Sequence, residues 1–119
     1  MEHGQRAAST KAAIETGTQV GLSVPRRDPT DVTWITLAIE KVGDDYLAHA
    51  SVIRESNIHA EVFDLDRTLA CATLDEAMEV LTSIAQAERV DFVPTALKGQ
   101  RLFSPAAEVI ERHRPTGRG

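Results

Sequence analysis

The sequence contains few aromatic residues and almost no cysteine. Phe, Tyr and Trp make up 4% of its 119 residues, so the core must be built mainly from aliphatic side chains, which bury less apolar area per residue. The single cysteine, Cys71, excludes an intramolecular disulfide and a zinc site made of cysteines alone. We predict that Cys71 is a small buried side chain.

Long apolar runs are also absent. No run of about 18 apolar residues occurs, which excludes a transmembrane helix. Residues 1–18 contain no apolar segment typical of a secretory signal. Together with the single cysteine, these absences favour a cytoplasmic protein. The length is that of one domain, and the apolar fraction of 42% is ordinary for a globular chain.

Charge is unevenly distributed along the chain. Residues 31–95 hold 13 acidic and four basic residues, a net charge of −9, whereas residues 1–30 and 96–119 have net charges of +1 and +3. An acidic body repels phosphate backbones, whose binding depends on Lys and Arg. We therefore do not expect nucleic acid as the main partner. Nucleic-acid binding through the basic C-terminal segment is an alternative hypothesis.

Three alternating segments predict an antiparallel β-meander. Strands are predicted at residues 32–42, 45–55 and 58–69, joined by two-residue turns at residues 43–44 and 56–57. Because turn length determines register, partner numbers should sum to 87 in the first hairpin and to 113 in the second. His49 then lies opposite Asp64. Ala48 and Ala50 lie between larger neighbours and form a trough for a helix.

An amphipathic helix is predicted at residues 73–88. Thr73 and Glu76 have the spacing of a capping box. One helical stripe is apolar and consists of Leu74, Ala77, Met78, Leu81, Ile84 and Ala85. The predicted fold is therefore α+β: a three-stranded antiparallel meander packed against one helix (βββα), plus a short C-terminal helix with Ser104 as N-cap. Residues 90–93 are a candidate edge strand.

The domain organisation follows from these elements. Residues 31–113 are predicted to form a single α+β domain. Residues 1–30 are predicted to be a flexible, disordered tail, because Ile14 is the only large apolar residue of its one helical segment. Residues 114–119 are predicted to be disordered because they have nothing to bury.

The sheet face opposite the helix carries the candidate binding residues. Trp34 and Ile53 cluster at one end of it and form a candidate interaction surface, with His49 in the adjacent middle row. A pair of His49 with Asp64 would be a pH-sensitive contact. Asp64, Asp66 and His49 together are a candidate metal site, but a flat sheet would not enclose an ion. We predict no bound metal and no cofactor.

Residues 62–69 contain the pattern Asp-x-Asp-x-Thr after an apolar segment. It resembles the first motif of the haloacid dehalogenase phosphatase superfamily. That resemblance implies a magnesium-dependent phosphotransfer site with Asp64 as nucleophile and metal ligand, Asp66 as general acid/base, and Thr68 in the loop. It covers eight residues, and it departs from the family because a hairpin precedes it and only 55 residues follow Asp64. The family places the motif on the first strand of a parallel sheet.

The predicted βββα order is also similar to two non-catalytic families. Its helix opens with Thr-Leu-Asp-Glu-Ala, as in the HicB-like antitoxin domain, whose glycine-rich segment is absent here. The same order resembles double-stranded RNA-binding domains, whose last helix is rich in lysine. Here that helix carries Asp75, Glu76 and Glu79. These resemblances imply an antitoxin-like or nucleic-acid-binding module as a further alternative.

The prediction for function follows from the missing catalytic set and the acidic body. We expect a non-catalytic protein-interaction module with an unknown protein partner, or one that self-associates through the Trp34 surface. The alternatives are the phosphotransfer site at Asp64 and Asp66 and the antitoxin-like or nucleic-acid-binding module. No membrane partner is expected.

Overall fold

The computed structural model describes the backbone of residues 2–114 and the side chains of residues 9–114. These residues form two helices, α1 (Glu2–Glu15) and α2 (Leu74–Ala87), and six strands: β1 (Val20–Arg27), β2 (Val32–Val42), β3 (Asp45–Arg54), β4 (Leu65–Cys71), β5 (Lys98–Gly99) and β6 (Ile110–Arg112). The strands make one sheet in the order β5-β1-β2-β3-β4-β6. Only the β4–β6 pair is parallel, so the sheet is mixed. The α+β class is confirmed, but the three-stranded meander with one packed helix is wrong.

The hairpin of β2 and β3 is confirmed. Gly43 adopts a φ of 63°, which a two-residue turn requires and glycine tolerates. The register pairs Thr33 with Arg54 and Val42 with Asp45, so partner numbers sum to 87 as predicted. The two strands bury large aliphatic residues of β2 opposite small ones of β3: Ile35, Leu37 and Ile39 opposite Val52, Ala50 and Ala48.

The second predicted hairpin is wrong. Residues 55–64 form a loop that begins with a 3-10 turn at Glu55–Asn57, and β4 begins only at Leu65. His49 therefore lies opposite Thr68 instead of Asp64, a displacement of four residues. The backbone amide of Val62 donates to the carbonyl of Asn57, so the chain closes a wider turn than two residues. Because side chains alternate with period two, an even displacement leaves each β4 residue on the face that was predicted for it.

Helix α2 begins as predicted. The Thr73 hydroxyl accepts a hydrogen bond from the Glu76 amide at 3.1 Å, and Thr73 is the N-cap. The Glu76 carboxylate accepts from the amide of Ala72, one residue before the position that a capping box would use. The helix buries Ala77, Val80, Leu81 and Ala85 on the trough of β3 alanines. This contact makes the first layer of the core.

The predicted flexible tail at residues 1–30 is wrong, because it contains α1 and β1. Strand β1 pairs with β2 along its whole length, and Ile14 of α1 is fully buried in the core shared with α2. Every second residue of β1 faces that core, namely Val20, Leu22 and Val24. The intervening Gly21, Ser23 and Pro25 obscured this alternation. Pro25 is tolerated because only Val20 and Gly21 of β1 pair with β5, which leaves Pro25 on an open edge.

The predicted C-terminal helix is also wrong. Residues 100–108, here called the C-terminal strap, cross the second face of the sheet from β5 to β6. They contain only a 3-10 turn at Pro105–Ala107. Phe103 packs there on Ala38, Leu47 and Ala70. The candidate edge strand at residues 90–93 is not formed. The predicted disordered C-terminus at residues 114–119 lies outside the described residues except for Arg114.

One buried side chain holds the strap in place. Gln19 is 4% exposed, and its amide nitrogen donates to the carbonyl of Phe103 at 2.9 Å. Its amide oxygen accepts from the backbone amides of Leu102 and Phe103. A buried amide that uses both ends in this way replaces the missing sheet hydrogen bonds of the strap.

No helix of the described chain is long and apolar enough to cross a membrane.

The close approach of the strap to β1 predicts a strong effect of Gly21→Ala. A Cβ at Gly21 would lie 2.6 Å from Leu102 Cδ1 and 2.8 Å from the Leu37 carbonyl oxygen. We expect the free energy of unfolding to fall by about 1–3 kcal/mol, because overpacking forces the strap away. The matched control is Gly99→Ala, whose Cβ would meet nothing closer than Thr18 Cγ2 at 3.7 Å. Urea denaturation of both variants measures this, and equal losses would contradict the close contact.

Candidate functional site

The second sheet face is divided into a covered half and an open half. The strap covers the half that contains Ala38, Leu47 and Ala70. At the border of the two halves lies a polar cluster, defined here as His49, Thr68, Glu108 and Asp66. Beyond it, the open half carries Ser23, Thr36, Ser51, Trp34 and Ile53, none of which is fully buried.

The polar cluster is organised around a hydrogen-bonded chain. Nδ1 of His49 lies 2.8 Å from the hydroxyl oxygen of Thr68, and that hydroxyl donates to Oε1 of Glu108 at 2.9 Å. Since the single hydroxyl proton of Thr68 goes to Glu108, the bond with His49 requires a proton on Nδ1. The network therefore assigns the Nδ1–H tautomer to the neutral ring. A nucleophilic hydroxyl would donate its proton to the histidine, whereas Thr68 donates to Glu108. Thr68 is also fully buried, so its hydroxyl is not accessible to a substrate.

Phe103 packs on one face of the His49 ring. The two rings are stacked with centroids 4.6 Å apart and an interplanar angle of 8°. His49 is only 4% exposed. Burial lowers the pKa of His49 below its ordinary value, because the charged imidazolium loses solvation, while the carboxylates of Glu108 and Asp66 act in the opposite direction. The neutral ring is thus favoured.

Three potential metal ligands converge in the cluster. One ligand atom from each of His49, Asp66 and Glu108 lies within 4.8 Å of the others. His49 Nδ1 and Glu108 Oε1 are 3.5 Å apart. The three residues come from β3, β4 and the strap, with Asp66 exposed to solvent and Glu108 half-buried. An imidazole nitrogen with carboxylate oxygens is a donor set suited to divalent transition metals.

The predicted metal-site residues are only partly brought together. His49 and Asp66 meet, as strand alternation indicated, but Asp64 lies in the loop before β4 with Oδ2 3.5 Å from Nε of Arg54. The predicted pair of His49 and Asp64 is therefore wrong. Asp64 also precedes β4, which is antiparallel to β3 and parallel only to the short edge strand β6, whereas the dehalogenase motif lies on the first strand of a parallel sheet. Sequence reasoning missed Glu108, because the pattern after Ser104 predicts a helix and no local pattern joins Glu108 to His49.

The three predicted interaction residues fall into two environments. Trp34 and Ile53 are direct cross-strand partners on the open half, both half-buried. The indole nitrogen of Trp34 donates to Oε1 of Glu55 at 3.2 Å. His49, in contrast, lies beneath Phe103 and has almost no accessible surface. The accessible surface of the open half therefore includes Trp34, Ile53 and a row of hydroxyl side chains.

Cys71 lies on the other face, in the core shared by the helices. It is fully buried, as predicted. Burial raises the pKa of its thiol to about 11, so the nucleophilic thiolate is scarce at neutral pH.

Comparison with protein-family models, characterised proteins and solved structures finds no match. The proposals below therefore depend on the geometry described above.

The burial of His49 predicts that acid destabilises the fold. As pH falls, the unfolded chain binds a proton near the ordinary imidazole pKa of about 6.5, whereas the folded ring, whose pKa is lowered, does not. Unfolding therefore becomes more favourable as the pH falls from about 6.5 to the folded-state pKa. Above about pH 6.5, the contribution of His49 to the free energy of unfolding is constant. The carboxylates of Glu108 and Asp66 also act on the ring, and both residues are retained in the variants compared below.

Urea denaturation between about pH 5 and 8 in the presence of chelator measures this dependence. We expect His49→Gln to flatten the profile. The matched control is His59→Gln, which removes an exposed histidine in the loop before β4. A His49→Gln profile as steep as that of the native chain would contradict the assignment, as would a native chain that becomes more stable towards pH 5.

Proposed function

We propose that the protein is a non-catalytic protein-interaction module whose partner is a second copy of the same chain. The observation that supports this proposal is the division of the second sheet face. The strap covers one half, while the other half exposes the side of the sheet that carries Trp34 and Ile53. A flat sheet face with an apolar end is the kind of surface that packs on another sheet.

Trp34 is suited to anchor such a contact. It is the only tryptophan of a chain with 4% aromatic residues, and its side chain packs beside Ile53 instead of in the core. Tryptophan is enriched among the residues that contribute most to protein interfaces, because it buries a large area with few rotatable bonds. The hydrogen bond to Glu55 limits the motion of the ring before binding.

The order of the strands on the open half allows a symmetric pair. A twofold axis parallel to the strands, between β2 and β3, would bring β2 of one protomer over β3 of its partner. Because Trp34 and Ile53 are direct cross-strand partners, each Trp34 would then lie over the partner's Ile53, and the apolar ends of the two open halves would meet. Thr36 would likewise lie over the partner's Ser51. A symmetric contact of this kind uses the same surface on both protomers.

The non-catalytic part of the proposal is supported by the arrangement of the candidate nucleophiles. Asp64 pairs with Arg54 outside the polar cluster. Thr68 is fully buried and donates to Glu108. The Cys71 thiol is buried, and its pKa is raised to about 11. The two buried groups lack access to a substrate, and the exposed Asp64 carboxylate lies beside Arg54 instead of in the polar cluster.

Mutation of the open half tests the proposal. We expect the native chain to dimerise and Trp34→Ala to weaken dimerisation by about thirtyfold or more, because truncation of an interface anchor costs about 2 kcal/mol or more. Ile53→Glu should act in the same direction. Sedimentation equilibrium measures the dissociation constants. Trp34→Phe should retain more of the affinity, and circular dichroism of each variant reports whether it is folded.

The matched control is Val93→Glu, which introduces the same charge at an apolar residue that is 57% exposed and lies away from the sheet face. It should leave dimerisation unchanged. A native chain that stays monomeric throughout the concentration series would overturn the proposal. Equal effects of Ile53→Glu and Val93→Glu would show that the open half is not the interface.

A further inference from the structure

We infer that His49, Asp66 and Glu108 form a binding site for a divalent transition metal ion such as Zn²⁺. The imidazole nitrogen and two carboxylate oxygens are the ligands. The inference is independent of the proposed self-association, because it depends on the border of the strap and not on the Trp34 surface. It begins from the convergence of three ligand atoms within 4.8 Å, contributed by β3, β4 and the strap.

The spacing of two of these atoms matches what a small metal ion requires. Zinc binds nitrogen and oxygen at about 2.0–2.2 Å, so tetrahedral ligands lie about 3.3–3.6 Å from one another. Nδ1 of His49 and Oε1 of Glu108 are 3.5 Å apart. Two adjustments remain. The exposed side chain of Asp66 must change rotamer, and the Thr68 hydroxyl, 2.8 Å from Nδ1, must move out of the hydrogen-bond direction of that nitrogen.

The surroundings of His49 prepare the ring for a metal. Phe103 stacks on the ring and fixes its plane. Burial lowers the pKa of His49, so protons compete less with a metal ion near neutral pH. Metal binding at Nδ1 requires the proton on that nitrogen to move to Nε2, and the bond from His49 to Thr68 is then lost. The Thr68 hydroxyl still donates to Glu108 and orients its carboxylate, as outer-shell partners do.

The donor set selects the class of metal. Magnesium and calcium prefer ligand sets made entirely of oxygen, whereas an imidazole suits Zn²⁺, Co²⁺ or Ni²⁺. Three protein ligands leave a position for water on the solvent side, where Asp66 is exposed. Because Glu108 belongs to the strap, a bound ion would join the strap to β3 and β4. Binding would therefore stabilise the folded chain according to the concentration of free metal.

Calorimetric titration of the chelator-treated full chain with zinc chloride tests the site. We expect one Zn²⁺ per chain, an increase in the unfolding temperature with zinc, and affinity reduced about tenfold or more by Asp66→Asn or by Glu108→Gln. The two matched controls are Asp64→Asn, two residues from Asp66 and paired with Arg54, and Glu111→Gln on β6, paired with Arg67. Both should retain the native affinity.

Asp66→Asn is the decisive variant, because the side chain is exposed and its loss should not unfold the chain. Circular dichroism of the zinc-free variant checks that it is folded. The absence of zinc binding would overturn the inference, as would equal affinities of Asp66→Asn and Asp64→Asn. Loss of binding in His59→Gln, with Asp66→Asn unaffected, would assign the zinc to surface histidines and would also overturn it.

Discussion

The pairing of β2 with β3 organises both layers of the fold. It presents large aliphatic residues of β2 beside Ala48 and Ala50 of β3 on one face, and Ala38, Leu47 and His49 on the other. Both faces of the pair therefore contain buried residues, and both need a cover. The helices supply one cover and the strap supplies part of the other. A chain with so few aromatic residues reaches a closed core because small side chains let its layers approach closely.

The incomplete second cover creates the two candidate binding surfaces. Gln19 holds Phe103 over the centre of the sheet, and the strap then turns towards β6 beside β4. This path leaves the Trp34 half of the face open and brings Glu108 to the border. A polar cluster at such a border is partly desolvated, which strengthens its electrostatic contacts, and it remains accessible to small ions through Asp66. The open half and the cluster are thus two consequences of one docked segment.

The candidate site could be predicted only in part. The alternation of β3 and β4 correctly placed His49 and Asp66 on one face, because period-two geometry survives a register error of even size. It could not indicate that Thr68 pairs with His49, since the width of the 55–64 loop is decided by the backbone bonds of Val62 and its neighbours. The positions of Glu108 and Phe103 could not be predicted, because their contacts with the sheet span long sequence separations and follow no local period.

The amino-acid sequence alone was enough to identify the elements whose signals are local: the β2–β3 hairpin with its glycine turn, the α2 helix with its Thr73 cap, and the apolar stripe that packs them together. It also determined that Cys71 is a buried thiol. Three other features depend on contacts between distant parts of the chain. Strand β1 joins the sheet, residues 105–112 form the end of the strap and the edge strand β6 instead of a helix, and His49 meets Glu108. The physical reason is that propensity acts over a few residues. The strap gains its stability from burial of Phe103 and from Gln19, two contacts that exist only once the sheet has formed.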